Sequence, residues 1–76
     1  MALISETKLA ILKELEKQPL HGYVLAKKLN ITISSIYSHL NELKSYNFVE
    51  SFYVNRKRVY RLTDKGKLLL KLLTNR

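Results

Sequence analysis

Seventy-six residues carry 14 Lys and Arg against 6 Asp and Glu, a formal net charge of +8 at pH 7, with two glycines, one proline and neither cysteine nor tryptophan. Without cysteine the chain forms no disulfide and no thiolate metal site, which excludes a stapled secreted scaffold. It has room for one domain and no deep catalytic cleft, and a chain of this size buries only about 60% of its unfolded surface, which favours a dimer.

His21 and His39 are the only imidazoles, and no HxxxH pair suggests zinc. No paired-carboxylate, nucleophile–base or metal constellation stands out, so neither an enzyme nor a cofactor protein is expected. No apolar run approaches the length of a spanning helix, and no basic-apolar-small leader opens the chain. The expectation is a cytoplasmic, nucleoid-associated protein. Its charge favours a polyanionic partner, nucleic acid first and an anionic membrane surface second. The distribution of that charge is uneven. Residues 1–54 are almost balanced, whereas residues 55–76 hold Arg56, Lys57, Arg58, Arg61, Lys65, Lys67, Lys71 and Arg76 against Asp64 alone.

In chain order, Ser5 to Lys17 reads as a helix with Ile4, Ile11, Leu12 and Leu15 on one arc. Gln18-Pro19-Leu20 ends it, because proline donates no amide hydrogen and disfavours a helical predecessor. A second helix, about His21 to Leu29, turns Val24, Leu25 and Leu29 inward and stops at Asn30. Thr32 suits the N-cap of a third helix, its hydroxyl accepting from the amide of Ser34 or Ser35. Ile33, Ile36, Leu40 and Leu43 form that helix's core stripe. Its other face is small and polar: Ser34, Ser35, Tyr37, Ser38, Asn41 and Lys44.

From Phe48 the residues change to β-formers. Phe48, Val49, Phe52, Tyr53 and Val54, then Val59 and Tyr60, predict a two-stranded hairpin with Asn55-Arg56-Lys57 at its tip. Thr63 caps a last helix, with Asp64 favourably placed in its first turn. There Leu68, Leu69, Leu70, Leu72 and Leu73 span an arc of about 200°, against roughly 100° for an ordinary surface helix. That width predicts a second buried face, hence a homodimer through residues 64–75 with Leu3 and Leu9 beside them. An amphipathic membrane-surface helix is the lesser alternative.

The expected fold is mainly α with a small β-hairpin, in the order α-α-α-β-β-α: one winged helix-turn-helix domain over residues 1–76. A helix about 10–12 Å across fits the major groove of duplex DNA, and short side chains on its first turns allow close approach to base edges. Thr32, Ser34, Ser35, Tyr37, Ser38, Asn41 and Lys44 are the candidate contacts on the third helix, and Asn55, Arg56, Lys57 and Arg58 those of the wing. Asn41 has the chemistry to pair with adenine, and Lys44 suits a phosphate. His21 is read as a local packing or hydrogen-bonding residue, His39 as surface, and Gly22 and Gly66 as close-packing positions.

The chain also resembles the PadR-like winged-helix transcriptional regulators over essentially its whole length. The resemblance is carried by Pro19-Leu20-His21-Gly22-Tyr23, Ser35-Ile36-Tyr37, Leu40 with Leu43, Phe48-Val49-Glu50-Ser51, and Arg58-Val59-Tyr60-Arg61-Leu62-Thr63 with Gly66. It implies a repressor-type regulator with the third helix in the major groove, Ser34, Ser35, Tyr37 and Ser38 near DNA, and Arg56 to Arg58 in the wing. Many members continue into a further C-terminal segment used for dimerisation and effector binding. This chain stops at Arg76, so no small-molecule effector is expected. The function expected from the sequence is a homodimeric, sequence-specific regulator, a repressor by resemblance, on a palindromic double-stranded DNA site. A low-specificity DNA-coating protein and a winged-helix module for protein or RNA remain as alternatives.

Overall fold

The computed structural model describes residues 4–74. α1 (Glu6–Lys17) starts where the Ser5 hydroxyl accepts from the Lys8 amide at 3.2 Å, and it ends in extended backbone at Gln18. Leu20 and His21 then form β1, a strand the sequence pattern did not predict. Two residues are too few for an alternating pattern, so only the pairing of β1 with a distant strand defines it.

α2 (Gly22–Leu29) follows at once and stops at Asn30, which is left-handed at φ 55°. The amides of Asn30 and Ile31 donate to the carbonyls of Lys27 and Ala26 at 3.3 and 3.0 Å, satisfying acceptors the helix end would otherwise leave open. After this short turn α3 (Ile33–Ser45) opens on the Thr32 hydroxyl, which accepts from the Ser35 amide at 3.2 Å. Asn47, at φ 64°, reverses the chain beyond α3, and the Phe48 amide reaches back to the Leu43 carbonyl at 2.9 Å.

β2 (Val49–Val54) and β3 (Lys57–Leu62) form the expected hairpin, but β1 joins it, giving an antiparallel sheet in the order β1-β3-β2. β3 is therefore central, with Tyr60 opposite both Leu20 and Ser51. α4 (Asp64–Thr74) is capped by Thr63, whose hydroxyl accepts from the Gly66 amide at 3.0 Å and donates to the Asn47 carbonyl at 2.5 Å.

One core joins all four helices to the sheet: Ile11, Leu12 and Leu15 of α1, Leu25 and Ala26 of α2, Ile36, Leu40 and Leu43 of α3, Val49, Tyr60 and Leu62 of the sheet, and Leu70 of α4. Two expectations are corrected here. Ile33 is 45% exposed, because it is the first residue of α3 and lies beyond the reach of the core. The α3 stripe thus begins at Ile36. Leu70, expected in a dimer interface, is 1% exposed and belongs to the protomer's own core. Its side chain is already covered and has no surface to offer a second copy.

α1 and α3 are also tied by a polar cluster. The Lys8 ammonium lies 2.9 Å from His39 Nδ1 and 3.2 Å from a Glu42 carboxylate oxygen, with only 12% of its side chain exposed. Lys8 has only protons to give, so His39 Nδ1 accepts in the neutral imidazole. Burial and then the Lys8 charge lower the His39 pKa from its ordinary 6.5, with Glu42 opposing them. The unfolded chain therefore binds a proton on acidification that the folded chain resists. This contribution to stability is complete above pH 6.5 and is lost as the pH falls toward the lowered folded value.

Two predictions follow from the packing. A Cβ at residue 66 would overlap the Phe48 carbonyl oxygen, which is backbone and already holds the Thr63 amide at 3.1 Å. Gly66→Ala should lower stability by about 2 kcal/mol or more in denaturant titration; an unchanged midpoint would contradict this packing. Between about pH 7.5 and 5.5, above the carboxylate range, the wild-type unfolding midpoint should fall on acidification. His39→Gln should flatten that dependence, and equal slopes for the two chains would refute the assignment.

Candidate nucleic-acid interface

α3 presents Thr32, Ser34, Ser38, Asn41 and Lys44 to solvent, with Ser35 half-buried beside them. Thr32 already caps the helix through its hydroxyl. The Lys44 ammonium donates to the Ser51 hydroxyl of β2 at 3.1 Å, which holds it toward the sheet. Ser34, Ser38 and Asn41 form an exposed polar stretch with short side chains, the surface that allows close approach to base edges.

Tyr37 sits differently. Its ring is half-buried, 6.3 Å from the Tyr60 ring at an interplanar angle of 59°. It also lies where a side chain on Gly22 would be. A Cβ there would stand 2.7 Å from Tyr37 Cζ and 2.9 Å from both Cε1 and the hydroxyl oxygen. The absent side chain at the start of α2 lets the ring lie against backbone, so Tyr37 joins α2, α3 and the sheet.

The wing turns tightly. Asn55 and Arg56 are both left-handed, at φ 50° and 68°, between paired Val54 and Lys57. A two-residue turn with two positive φ values matches the right-handed twist of its strands, and glycine is usual in its second position. An arginine there accepts a backbone cost of about 1 kcal/mol and gains an exposed cation at the tip. The sequence placed Lys57 in the tip, whereas it is the first residue of β3. Arg58 faces Tyr53 across the hairpin and donates to its hydroxyl at 2.9 Å, a bond that raises the arginine pKa further and fixes the guanidinium in place.

These parts meet in a cleft of about 370 Å³ lined by His21, Tyr23, Val24, Tyr37, Lys57 and Arg58. The cleft brings together three residues expected at DNA from the sequence, Tyr37, Lys57 and Arg58. Next to them it places His21 and Tyr23, which sequence reasoning missed. Both flank Gly22, and the pairing of β1 with β3 carries them to the wing.

Of the leucines expected to form a dimer, Leu3 lies outside the described residues. Leu9 and Leu69 are half-buried against the core. Leu68, Leu72 and Leu73 are 58%, 71% and 41% exposed, and Leu69 lines an apolar cleft of about 290 Å³ with Ile4, Tyr46 and Phe48. Among the described residues no helix is long and apolar enough to cross a membrane, and no three His, Cys, Asp or Glu side chains gather as metal ligands.

Residues 11–72 match the transcriptional regulator PadR-like family. The chain belongs to that family. A relative, an uncharacterized HTH-type transcriptional regulator of Methanocaldococcus jannaschii, is 38% identical over 67 residues, covering 83% of this chain and 70% of its own length. Among solved structures, a ZitR variant of Lactococcus lactis superposes with a TM-score of 0.89 at 23% identity, over 97% of this chain and 53% of its own. The adhesin competence repressor of Streptococcus pyogenes gives 0.89 at 24% identity, over 96% and 57%. The transcriptional regulator BldR of Sulfolobus solfataricus gives 0.87 at 24% identity, over 95% and 57%. These similarities establish a winged-helix fold with four helices and a three-stranded antiparallel sheet. The chain spans a little over half the length of each of these three structures. The family is one of transcriptional regulators, and the fold of this chain is the winged helix.

The Gly22–Tyr37 contact carries its own prediction. The clashing atoms are the far end of a movable side chain, so Gly22→Ala should fold with stability changed by less than about 1 kcal/mol. Nuclear Overhauser contacts between the Tyr37 and Tyr60 rings should weaken sharply as the ring swings out. Contacts of wild-type strength would show that the ring does not depend on the missing side chain.

Proposed function

We propose that the chain is a DNA-binding transcriptional repressor that acts as a homodimer on a palindromic site. α3 would lie in the major groove, and the wing would lie on the adjacent groove or backbone. The observation that supports this most directly is the shared cleft: Tyr37 of α3 and Lys57 and Arg58 of the wing line one surface, beside the exposed polar face of α3. An exposed arginine at a left-handed turn position, where glycine would be less strained, supports the wing's role. The dimer rests on Leu68, Leu72 and Leu73, a run of exposed leucine on α4 next to an apolar cleft. Two α3 helices related by a two-fold axis would address half-sites about one helical turn apart.

A second reading, a protein that coats DNA with little sequence preference, draws on the same α3 face. Its exposed first turns carry serine hydroxyls and no long bidentate donors. A footprint on random-sequence DNA separates the two: discrete palindromic protection supports the regulator, continuous coverage the coating protein.

Phosphate neutralisation should dominate affinity. For a dimer meeting about six to eight phosphates, log K against log salt should slope at about −5 to −7. Arg56→Gly combined with Lys57→Ala should make that slope shallower and weaken binding. Unfolding stability should stay level or rise slightly, because glycine suits the turn. Full affinity in this variant would overturn the wing's role and favour a protein or RNA interaction module.

A further inference from the structure

We propose that the cleft between the start of α2, the middle of α3 and the base of the wing seats a single phosphodiester group of the DNA backbone. Tyr23 and Tyr37 would be its neutral donors, and Lys57 and Arg58 its cations. The proposal rests on the DNA-binding reading above and names which part of that surface takes a phosphate.

The composition of the cleft carries the inference. It holds two cations, two phenols and an imidazole, and no carboxylate lines it. The other basic clefts mix acids with their cations. Between α1 and α4, Lys13, Lys17, Lys67 and Lys71 share their space with Glu14 and Glu16. At the corner of β3 and α4, Arg61 and Lys67 meet Glu50 and Asp64, and Arg61 is already paired to Glu50 at 2.7 Å. Only the α2–α3–wing cleft, of these three, leaves its positive charge without an acid in the lining.

Its donors are also held in place. Arg58 donates to the Tyr53 hydroxyl, and Tyr37 packs against the Gly22 backbone and near the Tyr60 ring. The Lys27 ammonium lies 5.4 Å from the Tyr23 ring and brings a third cation near the mouth. His21 lines the cleft, its Nδ1 is buried, and no hydrogen-bond partner meets it among the described residues. The first turn of α2 has no side-chain cap beside it. A phosphodiester supplies the acid the lining lacks: one negative charge on two acceptor oxygens, matched to guanidinium, ammonium and phenol donors.

The test uses duplexes selected from a random pool, with methylphosphonate replacing one backbone phosphate at a time. Neutralising one particular phosphate per bound domain should weaken wild-type binding about tenfold, the size of one charge-assisted hydrogen bond. The double variant Tyr23→Phe, Tyr37→Phe, checked for an unchanged melting transition, should bind the natural duplex about tenfold less tightly and show a smaller methylphosphonate effect at that phosphate. Should the wild type bind duplex DNA while no methylphosphonate effect shrinks in the double variant, the seat is overturned and the DNA-binding reading stands. Should no duplex bind, the DNA-binding reading fails, and inorganic phosphate alone decides the cleft. Nuclear magnetic resonance shifts at His21, Tyr23 and Tyr37 with phosphate, and not with chloride at equal ionic strength, would then assign the seat to free phosphate. Their absence would overturn it.

Discussion

The Tyr37 ring fills the space where Gly22 has no side chain and also meets the ring of Tyr60 of the central strand. That contact joins three elements distant in sequence: the start of α2, the outer turns of α3 and β3 at the base of the wing. The hydrophobic core beneath would hold the helices together without it, since Ile36, Leu40 and Leu43 are fully buried. What the contact adds is position. It fixes where a polar tip on α3 stands relative to Lys57 and Arg58, and so makes one surface of a helix and a hairpin. The ring can hold that position only while residue 22 has no side chain, since a Cβ there would stand 2.7 Å from Tyr37 Cζ.

The +8 charge takes on a more divided meaning once the chain is folded. The basic segment from residue 55 onward does not all face one way. Arg56, Lys57 and Arg58 belong to the wing, whereas Lys67 and Lys71 line a separate cleft with α1 and its glutamates. Arg61 is offset by Glu50, and Lys65 donates to the Tyr46 carbonyl. Exposed pairs of this sort contribute little to stability, but they decide where uncompensated charge remains. Beside α3, the cleft of Tyr37, Lys57 and Arg58 has no acid in its lining.

Much of the fold was legible because its determinants are local. Ser5, Thr32 and Thr63 cap their helices through their own hydroxyls, and Asn30 reverses the chain with its own φ. The hairpin follows from two runs of β-formers. Non-local features were not legible. β1 exists only because Leu20 and His21 meet Tyr60 and Val59, some 40 positions later in the chain. Without that strand His21 and Tyr23 have no visible connection to the wing, and so the candidate surface was read as α3 and the hairpin tip alone. The wide leucine arc of α4 likewise cannot say which leucine the protomer keeps for itself. The packing assigns Leu70 to the core and leaves Leu68, Leu72 and Leu73 outside.

In the proposed regulator the start of α2, α3 and the wing form one surface that meets DNA. Mapping backbone amide shifts during titration with a selected duplex tests it most directly. The largest changes should fall in residues 21–24, 33–41 and 55–58, with α4 little affected. Changes concentrated along α1 and α4, with residues 21–24 and 55–58 unmoved, would contradict it.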